Sequence, residues 1–120
     1  MKTPRLRLAS VVAMLVAPCA APSAVRAADG PVQVLATTTD LADIVRFVGG
    51  GLVAVECLCR GAEDPHFLDA RPSFIRMANR ADLVVLNGME LEAGYLPLLL
   101  RDGNNPRIRP GTPGYLDAST

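Results

Sequence analysis

The chain has 120 residues and carries twelve basic and twelve acidic side chains, so its formal charge at neutral pH is zero. This length is enough for one small domain with a single core. The charge balance leaves no excess of basic residues for binding phosphates. Aromatic residues, on which nucleic-acid bases could stack, make up only 4% of the sequence. We therefore exclude nucleic-acid binding as a function.

The N-terminal residues follow the order of regions that is typical of a secretory signal peptide. Basic residues come first, an apolar run covers residues 8–17, and small residues and prolines follow. The best cleavage site lies after Ala27. We predict a signal peptide over residues 1–27, a mature domain over residues 28–120 and a periplasmic location.

Two other interpretations of this segment are weaker. A membrane anchor needs about 20 apolar residues, and the apolar run is shorter than that. A lipid-modified Cys19 is disfavoured because Pro18 stands where such sites have a small residue other than proline. Cleavage would also remove four basic residues and leave eight basic against twelve acidic side chains, so the mature domain is expected to be mildly acidic.

From residue 32 onward, short apolar runs alternate with helix-like stretches, which indicates an α/β fold with a parallel sheet flanked by helices. The first strand is predicted over residues 32–37 or 38. A helix follows, capped by Thr39 or Asp40, with its apolar residues at helical spacing. The glycines at residues 49–51 end this helix. They follow a helix rather than precede one, so they do not predict a phosphate-binding loop.

The rest of the chain continues the βαβαβα pattern. The predicted elements are a strand over residues 53–59, a polar loop over residues 60–71, a helix from Pro72, a strand over residues 81–87 and a helix over residues 91–100. Pro97 argues against the last helix, because proline disrupts the interior of a helix. Residues 103–120 are rich in proline and glycine and are predicted to be an irregular tail, with a short strand at Ile108 as an alternative.

Cys57 and Cys59 are the two cysteines that would remain after cleavage. Residues i and i+2 of a strand lie about 7 Å apart, which is at the limit of disulfide geometry. We therefore expect two buried, unpaired thiols. A thiol-based redox or metal protein is an alternative function, although redox proteins commonly use a Cys-x-x-Cys spacing.

His66 is the only histidine of the chain, and it lies in the loop that leaves the carboxyl end of the second predicted strand, where open parallel sheets bind ligands. Pro65 fixes its own φ and restricts Asp64, which stiffens the loop. Imidazole binds zinc, copper, nickel and iron. Glu63, Asp64 and Asp69 are candidates for secondary ligands or for residues that support His66.

By its residue type alone, His66 is better interpreted as an ordinary loop histidine that is hydrogen-bonded to solvent or backbone. An enzyme that uses His66 as a general base, oriented by Asp64 or Asp69, is a further alternative. We do not favour it, because the sequence has neither a recognisable nucleophile elbow nor a second histidine.

The residues Asp64-Pro65-His66, followed after five residues by Pro72-Ser73, resemble the DPH signature of the zinc- and manganese-binding receptor proteins of bacterial metal ABC transporters. Residues 37–45 and 81–92 resemble the same family, so that nearly all of residues 32–100 is covered. The resemblance implies that His66 is a metal ligand. It also implies two α/β lobes joined by a long helix, with the ion between them.

In this family the other ligands lie downstream, and none of them is present here, so the resemblance implies a truncated N-terminal lobe that binds metal weakly by itself. The implied ion is zinc, with manganese or iron as alternatives. The implied partners are a membrane permease and its ATPase, and the protein is expected to be a monomer and not an enzyme.

Some features of the sequence fit the family less well. Phe74, where many members have an acidic residue, and the cysteine pair depart from the family pattern. These departures leave the identity of the metal open. A fragment without stable metal binding is a separate alternative, in which Glu90, Glu92 and the arginines simply form a solvated surface.

Overall fold

The computed structural model describes residues 30–120. The predictions for the signal peptide, its cleavage site and Cys19 lie outside these residues, and the division of the chain after Ala27 stays a prediction. The helices and strands, in chain order, are β1 (Val32–Ala36), α1 (Thr39–Gly49), β2 (Val53–Cys57), α2 (Pro72–Arg80), β3 (Leu83–Leu86), α3 (Leu96–Gly103) and β4 (Tyr115–Asp117). Single turns of 3-10 helix lie at Gly50–Leu52, Pro65–Phe67 and Pro106–Ile108.

The four strands form one parallel sheet in the order β2-β1-β3-β4. In this register Val34 lies between Val55 on β2 and Leu83 on β3. Parallel pairing requires helical crossovers, and the helices of this chain supply them. The predicted α/β class with a parallel sheet is confirmed.

The main core lies between one face of the sheet and helices α2 and α3. Leu35 and Val84 face this side, where they pack with Phe74, Tyr95 and other buried residues. On the opposite face, α1 covers Val34 and Val85, which are buried, beside an open apolar hollow of about 470 Å³. Because α1 lies mainly over β1 and β2, much of its own apolar surface is exposed, including Phe47 at 92%.

Several predicted boundaries are wrong. Strand β1 ends at Ala36 and β2 at Cys57, although the amides of Leu58 and Cys59 still donate to the carbonyl oxygens of Ala36 and Thr37. The residue that caps α1 is Thr38, without a side-chain hydrogen bond, so the prediction of a cap at Thr39 or Asp40 is also wrong.

The last helix begins at Leu96 rather than at residue 91. Pro97 explains the difference, because proline fits the first turn of a helix, where its missing amide proton has no partner to lose. The preceding residues form turns instead. Residues 103–120 are more ordered than predicted, since they contain a 3-10 turn that buries Ile108 and the parallel strand β4.

The parallel pairing of β4 with β3 depends on a close approach at Gly114. The amide of Val84 donates to the carbonyl oxygen of Gly114 at 2.8 Å. A Cβ on Gly114 would lie 2.6 Å from the carbonyl oxygen of Asp82 and would clash with that of Arg107. Glycine is therefore the residue that allows the last strand to join the sheet. None of the helices in residues 30–120 combines the length and the apolar character that a bilayer crossing requires.

Candidate metal-binding loop

The loop that carries His66, residues 60–71, leaves β2 at the edge of the sheet where the carboxyl ends of the strands lie. We call these residues the histidine loop. Its first turn is closed by the carboxylate of Glu63, which accepts a hydrogen bond from the amide of Arg60 at 2.9 Å. The hydroxyl of Thr39, at the start of α1, donates to the carbonyl oxygen of Gly61 at 3.3 Å. The first bond closes a turn within the loop, and the second joins the loop to the first turn of α1.

His66 lies in the 3-10 turn Pro65–Phe67, with Asp64 as its N-terminal cap. Oδ1 of Asp64 accepts a hydrogen bond from the backbone amide of His66 at 2.9 Å and lies 2.8 Å from Nδ1 of the imidazole. These two interactions, the backbone one first, hold the pKa of Asp64 below its ordinary value. The side chain of His66 is 57% exposed, so the imidazole is accessible to an ion.

A second segment, residues 87–95, follows β3 at the same edge and lies against the histidine loop. We call it the glutamate turn. A Cβ on Gly94 would be 3.6 Å from the carbonyl oxygen of His66. Gly88, Met89 and Glu90 all have positive φ values, of 82°, 53° and 66°. Such a run is unusual for residues other than glycine, so surrounding contacts must hold the turn in place.

Glu92 provides these contacts. Its side chain is only 2% exposed, and its carboxylate accepts hydrogen bonds from the hydroxyl of Thr37 at 2.7 Å, from the amide of Asn87 at 2.8 Å and from the amide of Gly88 at 3.2 Å. The side chain of Asn87 also donates to Glu92 at 3.2 Å. A glutamate four residues after an Asn-Gly turn is only a weak sequence signal for this role, and the interpretation of Glu92 as a solvated surface residue is wrong.

The other carboxylates of the histidine loop do not complete a metal site with His66. Within residues 30–120, no group of three or more histidine, cysteine, aspartate or glutamate side chains is arranged to hold a metal ion. Asp64 bonds the ring of His66, and Glu63 bonds the backbone. Asp69 is exposed. The loop thus presents one imidazole that is supported by one carboxylate.

Cys57 and Cys59 are unpaired, as predicted. Cys59 is buried, whereas Cys57 is half-buried, so the prediction of a buried thiol is wrong for Cys57. Burial, together with the neighbouring charges of Cys57 and Glu63, raises the pKa of Cys59 to about 11, and burial also raises the pKa of Cys57. Both groups are therefore thiols at neutral pH. Because the thiolate is the form that exchanges disulfides and binds metals, this arrangement disfavours the thiol-based alternative.

Phe74 is 3% exposed and belongs to the core. The guanidinium group of Arg71, at the end of the histidine loop, lies 5.5 Å from the centroid of its ring. The departure from the family pattern at this position therefore concerns packing beneath the loop.

Comparison with known proteins identifies a family for the chain. The family model described as ZnuA, the periplasmic component A of a zinc-uptake complex, matches residues 34–113. The chain belongs to this family. The matched residues contain the histidine loop, the glutamate turn, strands β2 and β3 and the last three residues of β1.

The ZnuA-family relatives include receptors named for manganese and for zinc. The manganese ABC transporter substrate-binding lipoprotein PsaA of Streptococcus pneumoniae is 28% identical over 94 residues, covering 73% of this chain. The manganese-binding lipoprotein MntA of Bacillus subtilis is 34% identical over 85 residues, covering 71%. The structure of the periplasmic zinc-binding protein TroA from Treponema pallidum superposes with a TM-score of 0.59 at 25% identity, covering 74%.

The chain spans about 30% of the length of these relatives, since the aligned part is 30% of PsaA, 28% of MntA and 29% of TroA. PsaA and MntA are named lipoproteins, whereas TroA and the family as a whole are described as periplasmic. The absence of a lipid on Cys19 stays a prediction.

Proposed function

We propose that this chain contributes His66 to the binding site of a divalent metal ion, in the solute receptor of an ABC transporter outside the inner membrane. The observation that carries the proposal is the exposed imidazole of His66, held by Asp64 on a short turn at the carboxyl edge of a parallel sheet. This edge is where open α/β sheets bind their ligands.

Zinc is the ion that we favour, with manganese and iron as the other candidates. Neutral imidazole is a good ligand for zinc and iron, whereas manganese prefers carboxylate oxygens. The names of the relatives include both zinc and manganese. The choice among these ions also depends on the remaining ligands of the site.

A stable zinc site needs about four ligands, or three and a water molecule. Residues 30–120 offer His66 without a group of further ligands around it. We propose that the remaining ligands come from a second lobe of the receptor, which closes on the ion and delivers it to a permease that is driven by an ATPase. In this proposal the receptor acts as a monomer and binds and releases an ion without catalysing a reaction.

Manganese provides a direct test, because the paramagnetic ion broadens the NMR signals of nearby nuclei. We expect Mn²⁺ to broaden amide signals around His66 and Gly94 first, since these residues lie together. The variant His66→Ala should lose this selective broadening, whereas Asp69→Ala, a change in an exposed carboxylate of the same loop, should keep it. Broadening that persists in His66→Ala and is centred on another part of the chain would contradict the proposal.

A further inference from the structure

The interaction between Asp64 and His66 has a specific chemical consequence. We propose that Asp64 is a positioning residue that fixes the tautomer of His66, with the proton on Nδ1, so that Nε2 is the nitrogen that binds metal. The part of this inference that concerns metal rests on the proposed function. The part that concerns the tautomer does not depend on any ion.

The two nitrogens of the His66 ring have different surroundings. A neutral imidazole carries one N–H group and one lone pair, and a free side chain exchanges the proton between the two positions. Nδ1 of His66 lies 2.8 Å from Oδ1 of Asp64, and an ionised carboxylate can only accept a hydrogen bond. Nδ1 must then be the donor. The lone pair is left on Nε2, which is the atom that a metal ion requires.

The same carboxylate oxygen also fixes the backbone of the turn. Oδ1 of Asp64 accepts the amide of His66 at 2.9 Å, so the main chain and the ring of His66 share a single acceptor. Pro65 stands between the two residues and locks its own φ. Rotation of the imidazole away from Asp64 would therefore break one of two bonds that converge on one atom.

Other carboxylates of the histidine loop do not compete for this role. Glu63 is engaged with the amide of Arg60, and among the described residues Asp64 is the carboxylate that bonds the ring. Histidine ligands of metal sites commonly donate their second ring nitrogen to a carboxylate, and loss of that partner typically lowers metal affinity by roughly 10- to 100-fold. Asp64 and His66 have this arrangement.

The test is to determine the tautomer of His66 in the full, ¹⁵N-labelled chain without metal. Chemical shifts of the ring nitrogens should be recorded well above the ordinary histidine pKa of about 6.5. We expect the Nδ1–H form to dominate in the native protein. Asp64→Ala should shift the population toward Nε2–H. Asp64→Asn, whose amide oxygen can still accept, should restore the Nδ1–H form, and the control Asp69→Ala should match the native protein.

Either of two results would overturn the inference: a native protein in which the Nε2–H form dominates, or an Asp64→Ala variant with an unchanged tautomer. If Asp64→Ala fails to fold, the native spectrum still tests the inference, because a dominant Nε2–H form would overturn it. A parallel zinc titration should show affinity reduced roughly 10- to 100-fold in Asp64→Ala. If the native protein shows the Nδ1–H form but binds no zinc, the proposed function fails and the assignment of the tautomer stands.

Discussion

The carboxylate of Glu92 accepts a 2.7 Å hydrogen bond from the hydroxyl of Thr37, which lies 55 residues earlier in the chain. Thr37 follows β1, and the glutamate turn that contains Glu92 follows β3, which is the neighbour of β1 in the sheet. Glu92 thus joins the carboxyl ends of two central strands. Because the glutamate turn also lies against the carbonyl oxygen of His66 through Gly94, this buried carboxylate supports the edge on which the proposed ligand stands.

The first prediction concerns the charge of Glu92. In Glu92→Gln one oxygen can still accept from the hydroxyl of Thr37 and from Asn87, but the NH2 group would replace Oε2 and face another donor, the backbone amide of Gly88. We expect the free energy of unfolding to fall by about 1–3 kcal/mol, the usual effect of leaving buried polar groups without partners. Urea denaturation measures it. The matched control is Glu90→Gln, an exposed neighbour, which should change stability by less than about 0.5 kcal/mol. Equal effects of the two changes would refute the role of Glu92.

The second prediction concerns the hydroxyl of Tyr95. This residue is fully buried, and its hydroxyl has no hydrogen-bond partner among the described residues. Removal of an unpartnered polar atom without a change in the shape of the ring should be neutral or should stabilise the fold by up to about 1 kcal/mol. Tyr95→Phe tests this by urea denaturation. A loss of more than about 1 kcal/mol would mean that the hydroxyl makes a favourable interaction.

The third prediction is a loss of stability at alkaline pH. Burial raises the pKa of Cys59 from an ordinary value of 9.0 to about 11, so the folded protein holds this proton more tightly than the unfolded chain. The resulting stabilisation is complete below about pH 9 and is lost as the pH rises toward 11. Burial also raises the pKa of Tyr95. Tyr95 therefore adds to the loss of stability when the pH rises above its ordinary pKa of 10.0.

Urea denaturation at a series of pH values between neutrality and 11 measures this effect. We expect the slope of stability against pH in this window to become shallower in Cys59→Ala and again when Tyr95→Phe is added. In the native protein, alkylation of Cys59 should also be slow at neutral pH, because the thiolate is scarce. Rapid alkylation of Cys59 in the folded protein near pH 7 would be inconsistent with a raised pKa.

The fourth prediction concerns the close approach that admits β4 to the sheet. Gly114→Ala would place a Cβ 2.6 Å from the carbonyl oxygen of Asp82, and backbone atoms of two segments would have to move apart. We expect a loss of roughly 1–3 kcal/mol or more. Gly51→Ala is the control, since a Cβ there meets no atom within 4 Å. The comparison is made by thermal or urea unfolding, and a tolerated Gly114→Ala would show that β4 does not pack as described.

The sheet was predictable because each of its first three strands contains a short apolar run, at residues 34–36, 53–55 and 83–86, as is typical of strands in a covered parallel sheet. Strand β4 was not predictable in the same way. It has three residues, it follows a proline- and glycine-rich segment, and its pairing depends on the small size of Gly114. Local composition carries no information about a contact of this kind, which arises only when distant segments meet.

In the candidate site, too, some features were predictable from the sequence and others were not. The position of His66 followed from the parallel sheet and from the resemblance of its motif, and the bond between Asp64 and the ring agrees with the expectation that Asp64 supports His66. Glu92 was missed because a glutamate near the end of a turn is usually solvated. Its burial follows from the hydroxyl of Thr37 and the amides of Asn87 and Gly88, which converge only in the folded chain.

Calorimetric titration with zinc tests most directly whether His66 binds a divalent ion. The chain without residues 1–27 should be titrated under reducing conditions, beside His66→Ala and beside a sample with Cys57 and Cys59 blocked. We predict weak binding that disappears in His66→Ala and survives blocking of the thiols. Binding that survives His66→Ala and disappears when the thiols are blocked would contradict the role of His66 and assign the metal to the cysteines.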